Sequence, residues 1–209
     1  MITDDSVETF LNRLASADPT PGGGSAAAIM GAMGAGLVSM VCNVTLGKKG
    51  YESTTAELES LLAETERLRA NLTSLVAEDV SVFDDLMAAY RLPKSSDAEK
   101  AERSSRIQQS LRRATEVPLD CARSCAEVVK LAQRSAELGF RGVVSDAGVG
   151  ALVADAALNS AALNVYINTP SIMDRHFGEA AQAEIIALVE ATRVLNADVQ
   201  SSVRARIAG

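Results

Sequence analysis

Residues 25–46 form a run of 22 without a single charged side chain, and this run constrains the fold more than any other feature. Its length meets the criterion for a membrane span. Its content does not suit one: Gly31, Gly34 and Gly36 stand among alanines, with Ser25, Ser39, Asn43 and Thr45 interspersed, so the run is small rather than greasy. A similar stretch, Ala147 to Ile167, holds Asp155, Asn159 and Asn164. Both read as helices buried in a soluble bundle rather than in lipid. A helix that is apolar all round belongs in the centre of a core or at an oligomer interface.

Composition supports the helical reading. Thirty-five of the 209 residues are Ala, and only seven are aromatic (four Phe, three Tyr). Ala is the best helix former, and the residues that favour strands are comparatively scarce. A β-sandwich, a barrel and a disordered chain are therefore poor expectations, and residues 1–209 are expected to form a single domain. The net charge is −7 and no long basic run occurs, which argues against a nucleic-acid partner. Cys42, Cys121 and Cys125 are odd in number and lack zinc-ligand spacing, so they read as buried thiols in a reducing compartment. The start carries Asp4, Asp5 and Glu8 without a basic segment, and the expected location is the cytoplasm.

Helix signals recur along the chain. A first helix is expected from a Thr3 cap to Ser16, ended by the break Asp18 to Gly24 (DPTPGGG), after which Ser25 is placed to cap the uncharged helix. A Ser53 or Thr54 cap opens a helix from about Thr55 to Arg91 with a coiled-coil-like leucine seam. Asp79 falls in that seam, seven residues from both Leu72 and Leu86. Ser96 with Glu99 reads as a capping box for a helix to about Glu116, and Pro118 as the first residue of another ending near Gly139. Ser145 is the expected cap of the helix Asp146 to Asn168, and a last long helix, kinked near Gly178, follows Pro170. The pattern predicts an all-α bundle of six to eight helices with two buried Ala/Gly-rich members.

Little in this chain suits metal or nucleophile chemistry. The single histidine, His176, lies in a polar run and reads as solvent-facing, and one His without clustered Cys cannot build an ordinary zinc site. No GxSxG elbow is present, and PGGGS lacks the Lys-Ser/Thr ending of a phosphate loop. What remains are polar residues set in small-residue helices. Asn43, Asp79, Asp146, Asn159 and Asn164 each need a partner or a wet cleft, as helix cross-links or as site residues. Asp146 and Asn164 share a helix face but lie about 27 Å apart along it, so a dimer or an elongated ligand is needed to use both.

The sequence resembles the formiminotransferase-cyclodeaminase and methenyltetrahydrofolate cyclohydrolase family. The resemblance rests on Thr20-Pro-Gly-Gly-Gly-Ser25, Met40 to Thr45 with Gly47-Lys48-Lys49 and Tyr51, Asp79 with Phe83, and Tyr90 to Lys94. It continues through Pro118 with Ala122, Val144 to Gly148, Ala161 to Val165 and Ile167-Asn168. It implies an all-helical, homodimeric fold that acts on tetrahydrofolate derivatives with no metal and no permanently bound cofactor. Two activities are implied: hydrolysis of 5,10-methenyltetrahydrofolate to 10-formyltetrahydrofolate, which the GKK and YRLPK stretches favour, or deamination of formiminotetrahydrofolate. A non-enzymatic oligomerisation or adaptor protein is the rival outside catalysis.

The methenyl carbon is electrophilic, so water can add if a carboxylate takes its proton and fixed donors hold the intermediate. Asp146 is the first choice for that carboxylate and Asp79 the second. Ser25 and the backbone of Gly22, Gly23 and Gly24 are expected to orient pterin or water at a helix N-terminus. Asn43, Asn159 and Asn164 are candidate hydrogen-bond partners, and Lys48 is the candidate cation for the glutamate tail.

Overall fold

A computed structural model describes residues 5–209. It contains six α-helices: α1 (Val7–Leu14), α2 (Gly23–Thr45), α3 (Thr55–Arg91), α4 (Asp97–Leu138), α5 (Val144–Asn168) and α6 (Arg175–Ala208). Short 3-10 turns at Glu52–Thr54, Arg141–Val143 and Thr169–Ser171 lead into or out of the long helices. Among the described residues there is no strand, as Ala-rich composition predicts.

α2 and α5 lie side by side and antiparallel, with α3 flanking α2, α6 flanking α5, and α4 packed behind. Their crossing depends on glycine. A Cβ on Gly34 would sit 2.9 Å from the Gly150 carbonyl oxygen, and one on Gly150 would sit 3.0 Å from that of Gly34. The main core is built from small residues of these helices, such as Ala27, Ala35, Ala151 and Ala161, against Leu58 and Leu72 of α3 and Val128 and Val129 of α4. A smaller cluster of Leu86, Ala89, Ile107, Leu111 and Ile172 closes the end where α3 meets α4.

Several local expectations are corrected. The Thr3 cap lies outside the described residues, and α1 is capped by Ser6, whose hydroxyl accepts from the Thr9 amide. Ser25 is not a cap: α2 begins at Gly23 after Gly22, which leaves the serine in the first turn. Ser145 likewise lies inside α5, which starts at Val144 directly off the 3-10 turn. α6 runs through Gly178 without a break from an Asp174 cap. The α3 bounds and the Ser96–Glu99 capping box agree with expectation.

The largest correction is at Pro118, which sits inside one continuous 42-residue helix instead of opening a second. A proline in a helix interior leaves the carbonyl four residues earlier without its donor. Here that carbonyl, of Ala114, accepts from Asn168 Nδ2 at 2.7 Å. A side chain at the end of α5 thus replaces the missing amide.

The two small-residue helices are buried on one side only. Met33, Met40 and Val44 on α2, and Val149, Leu152, Leu163, Tyr166 and Ile167 on α5, are exposed, with Ile167 at 75%. Both helices have the length and apolarity of a membrane span, yet about half of each lies in the bundle core. The three cysteines are free and buried, and burial raises the Cys42 thiol to about 11.

Candidate active site

The DPTPGGG break ends where α2 begins, so the first amides of a long helix lie beside α3 near its middle. Asp79 meets them there. Its Oδ2 accepts from the Ser25 hydroxyl at 2.7 Å. This approach needs glycine at position 24, because a Cβ there would overlap Asp79 Oδ1 and Cγ. The seam position of Asp79 is explained by this pairing, since a carboxylate among leucines requires donors, and α2 supplies them from its positive end.

Ser25 is fully buried and Asp79 is half-buried. Burial holds the Asp79 carboxyl above the ordinary carboxylate value, while hydrogen bonds from the Ser25 hydroxyl and backbone act the other way. Desolvation is the larger of these effects. A carboxylate raised in this way is a stronger base than a free one. Asn164, half-buried on α5, borders the same helix start: its Nδ2 lies 3.9 Å from the point a Cβ on Gly23 would occupy. That amide donates to the Ser160 carbonyl at 3.0 Å, which leaves its oxygen available as an acceptor.

Thus Gly22, Gly23, Gly24, Ser25, Asp79 and Asn164 come together. The other candidate residues do not join them. Asn43 is exposed near the far end of α2, about 27 Å along the helix from Ser25. Lys48 lies beyond it with its Nζ 4.0 Å from the centroid of the Phe140 ring, which also meets Tyr51 edge-on at 6.1 Å. Asp146 is half-buried in the first turn of α5 at this same distant end. Asn159 is exposed and donates to the Asp155 backbone oxygen at 2.8 Å and to Asp155 Oδ1 at 3.3 Å. His176 is exposed, as its polar surroundings predict.

Sequence reasoning missed the polar chain behind Asn159. Asn196 donates to Asp155 Oδ2 at 3.1 Å, and Gln200 donates to Asn196 Oδ1 and to the Gly148 carbonyl, linking α6 to α5. The available signal was Asn196 and Gln200 one turn apart on an otherwise apolar face. A groove of about 640 Å³ between α3 and α4 is lined by Glu78, Asp85, Arg106 and Arg113, on a different face of α3 from Asp79. Among the described residues no three His, Cys, Asp or Glu side chains converge as a metal site requires.

Known proteins share this architecture. The chain is 50% identical over 207 residues to the methenyltetrahydrofolate cyclohydrolase of Methylorubrum extorquens, covering 99% of this chain and all of that one. It is 31% identical to rat formimidoyltransferase-cyclodeaminase, matching 98% of this chain but only 38% of that longer protein. The crystal structure of formiminotetrahydrofolate cyclodeaminase from Thermotoga maritima superposes with a TM-score of 0.82 at 29% identity, covering all of this chain and 98% of that one. The formiminotransferase-cyclodeaminase profile matches residues 6–187. With a profile that spans most of its length and a relative of half its residues end to end, the chain belongs to the formiminotransferase-cyclodeaminase family.

Proposed function

We propose that this protein hydrolyses 5,10-methenyltetrahydrofolate to 10-formyltetrahydrofolate, with Asp79 as the proton relay. The observation that carries the chemistry is the raised Asp79 carboxyl bonded to Ser25 at the glycine-lined start of α2. The full-length similarity to a methenyltetrahydrofolate cyclohydrolase supports the substrate.

Water adds to the methenyl carbon between N5 and N10 while Asp79 takes one of its protons. The positive charge of the bridge is neutralised as the tetrahedral adduct forms. Protonated Asp79 then returns its proton to N5 as the carbon–N5 bond breaks, and the adduct hydroxyl loses its proton to solvent, leaving the formyl group on N10. One water is consumed and one proton released. Ser25 fixes the carboxylate, and the α2 amides with Asn164 hold pterin or water.

Asp146 was the stronger sequence candidate for the relay, but its distance from Ser25 and Asp79 within one chain supports Asp79 instead. We also propose that the protein works as a cytoplasmic homodimer, joined through the exposed apolar face of α2 and α5. The three free thiols support the location. Cyclodeamination, in which N10 attacks the formimino carbon and ammonia leaves, is the second reading, supported by the likeness to the Thermotoga enzyme.

The two separate in one assay. Supplied with the methenyl compound, the protein should bleach the methenyl chromophore, and that activity should withstand exhaustive chelation. Appearance of the chromophore from the formimino compound, with no bleaching, would establish the deaminase. An adaptor would do neither and would gain no thermal stability from folate.

A further inference from the structure

Beyond the α2 start, α3 continues for three turns, and the face that carries Asp79 goes on to carry Phe83, Met87 and Tyr90. At 100° per residue these lie within about 80° of Asp79. The buried residues Val82, Leu86 and Ala89 flank this track on its inner side, Leu86 within about 20° of Asp79, and Met87 packs against the cluster that Leu86 and Ala89 form with Ile107, Leu111 and Ile172. Phe83 and Met87 are half-buried, and Tyr90 is 42% exposed. Arg103 of α4 is drawn to the end of this track: its Nε and Nη2 donate to the Tyr90 carbonyl at 3.3 and 3.1 Å, and its guanidinium carbon lies 5.9 Å from the Tyr90 ring centroid.

Five cations and five carboxylates lie between residues 84 and 106, but they do not all pair. Lys100 and Arg106 are matched by Asp97 and Glu102. Among the described residues no carboxylate lies within ion-pair distance of Arg91, Lys94 or Arg103. In a chain of net charge −7, three cations outside any of these ion pairs lie at this end of the track, where the Glu99 carboxylate is taken up by the Ser95 and Ser96 amides.

We propose that this track binds the aminobenzoyl-glutamate arm of the substrate, with the ring against Phe83 and the glutamate carboxylates beyond it, toward Tyr90, at Lys94 and Arg103. The assignment rests on the folate reading above. The lengths agree. Phe83 is about 6 Å and Tyr90 about 17 Å along α3 from Asp79. Summed bond lengths of about 1.4–1.5 Å put the glutamate carboxylates about 12 Å from the methenyl carbon, within reach of long cationic side chains near Tyr90. Lys48, the cation expected from sequence, lies past the far end of α2, itself about 30 Å from Ser25, and stacks on Phe140.

The test compares methenyltetrahydrofolate with methenyltetrahydropteroate, which lacks the glutamate. In Lys94→Gln combined with Arg103→Gln, KM for the glutamate-bearing substrate should rise about tenfold or more, with kcat nearly unchanged and KM for the pteroate as in wild type. Lys94→Gln alone, in an exposed connection, should show part of the same selective rise, which guards against a folding defect at Arg103. An equal change on both substrates, no change, or a selective rise in Lys48→Gln instead would overturn the assignment. Wild-type protein that bleaches neither compound would instead refute the hydrolase reading itself.

Discussion

Asp79 is stabilised as an anion by the start of α2 and destabilised by burial, and the second effect prevails. The sign of the pH dependence follows. A carboxyl raised in the folded state contributes stability that is fully present below the ordinary carboxylate range and is lost as the pH rises through its folded value. Asn at this position does not titrate. The melting temperature of Asp79→Asn relative to wild type should therefore climb from about pH 4 to pH 7, while turnover falls about 100-fold or more. A relative melting temperature that drops over the same range would mean that Asp79 serves chiefly to cap α2. Composition and spacing could show only that a carboxylate interrupts a leucine seam. Its partner is 54 residues away, and the glycine that admits it is readable as a turn former just as easily.

At the scale of helices, what could be read from sequence was whatever depends on neighbours along the chain. The capping box Ser96–Glu99 and the span Thr55–Arg91 are local, and both are present. Pro118 fails as a helix boundary because a residue from another helix changes its cost. An interior proline ordinarily costs about 3 kcal/mol, partly through the orphaned carbonyl. Asn168 fills that vacancy at Ala114. Asn168→Ala should therefore destabilise the protein by about 1–3 kcal/mol, measured by denaturant unfolding. Pro118→Ala restores a backbone donor, so the same Asn168→Ala change made in that background should cost about 1 kcal/mol less. Equal costs in the two backgrounds would show that Asn168 acts elsewhere.

For the whole molecule, the unresolved tension is the bare side of the central helix pair. α4 covers one face of α2 and α5, and the opposite face presents Met33, Met40, Leu152, Leu163 and Ile167 to water. Uncharged runs in the sequence signalled burial correctly but could not say whether the cover comes from the same chain or another. A stripe repeating every three to four residues along two adjacent helices is self-complementary in character, as a two-fold interface requires, and contiguous exposed apolar residues mark interaction surfaces. Sedimentation at micromolar concentration should give twice the chain mass. Met33→Lys together with Leu163→Lys places two charges per chain in that face and should yield a folded monomer with its helical circular dichroism retained. A wild-type monomer would remove the proposal, and a double variant that still dimerises would move the interface to another surface.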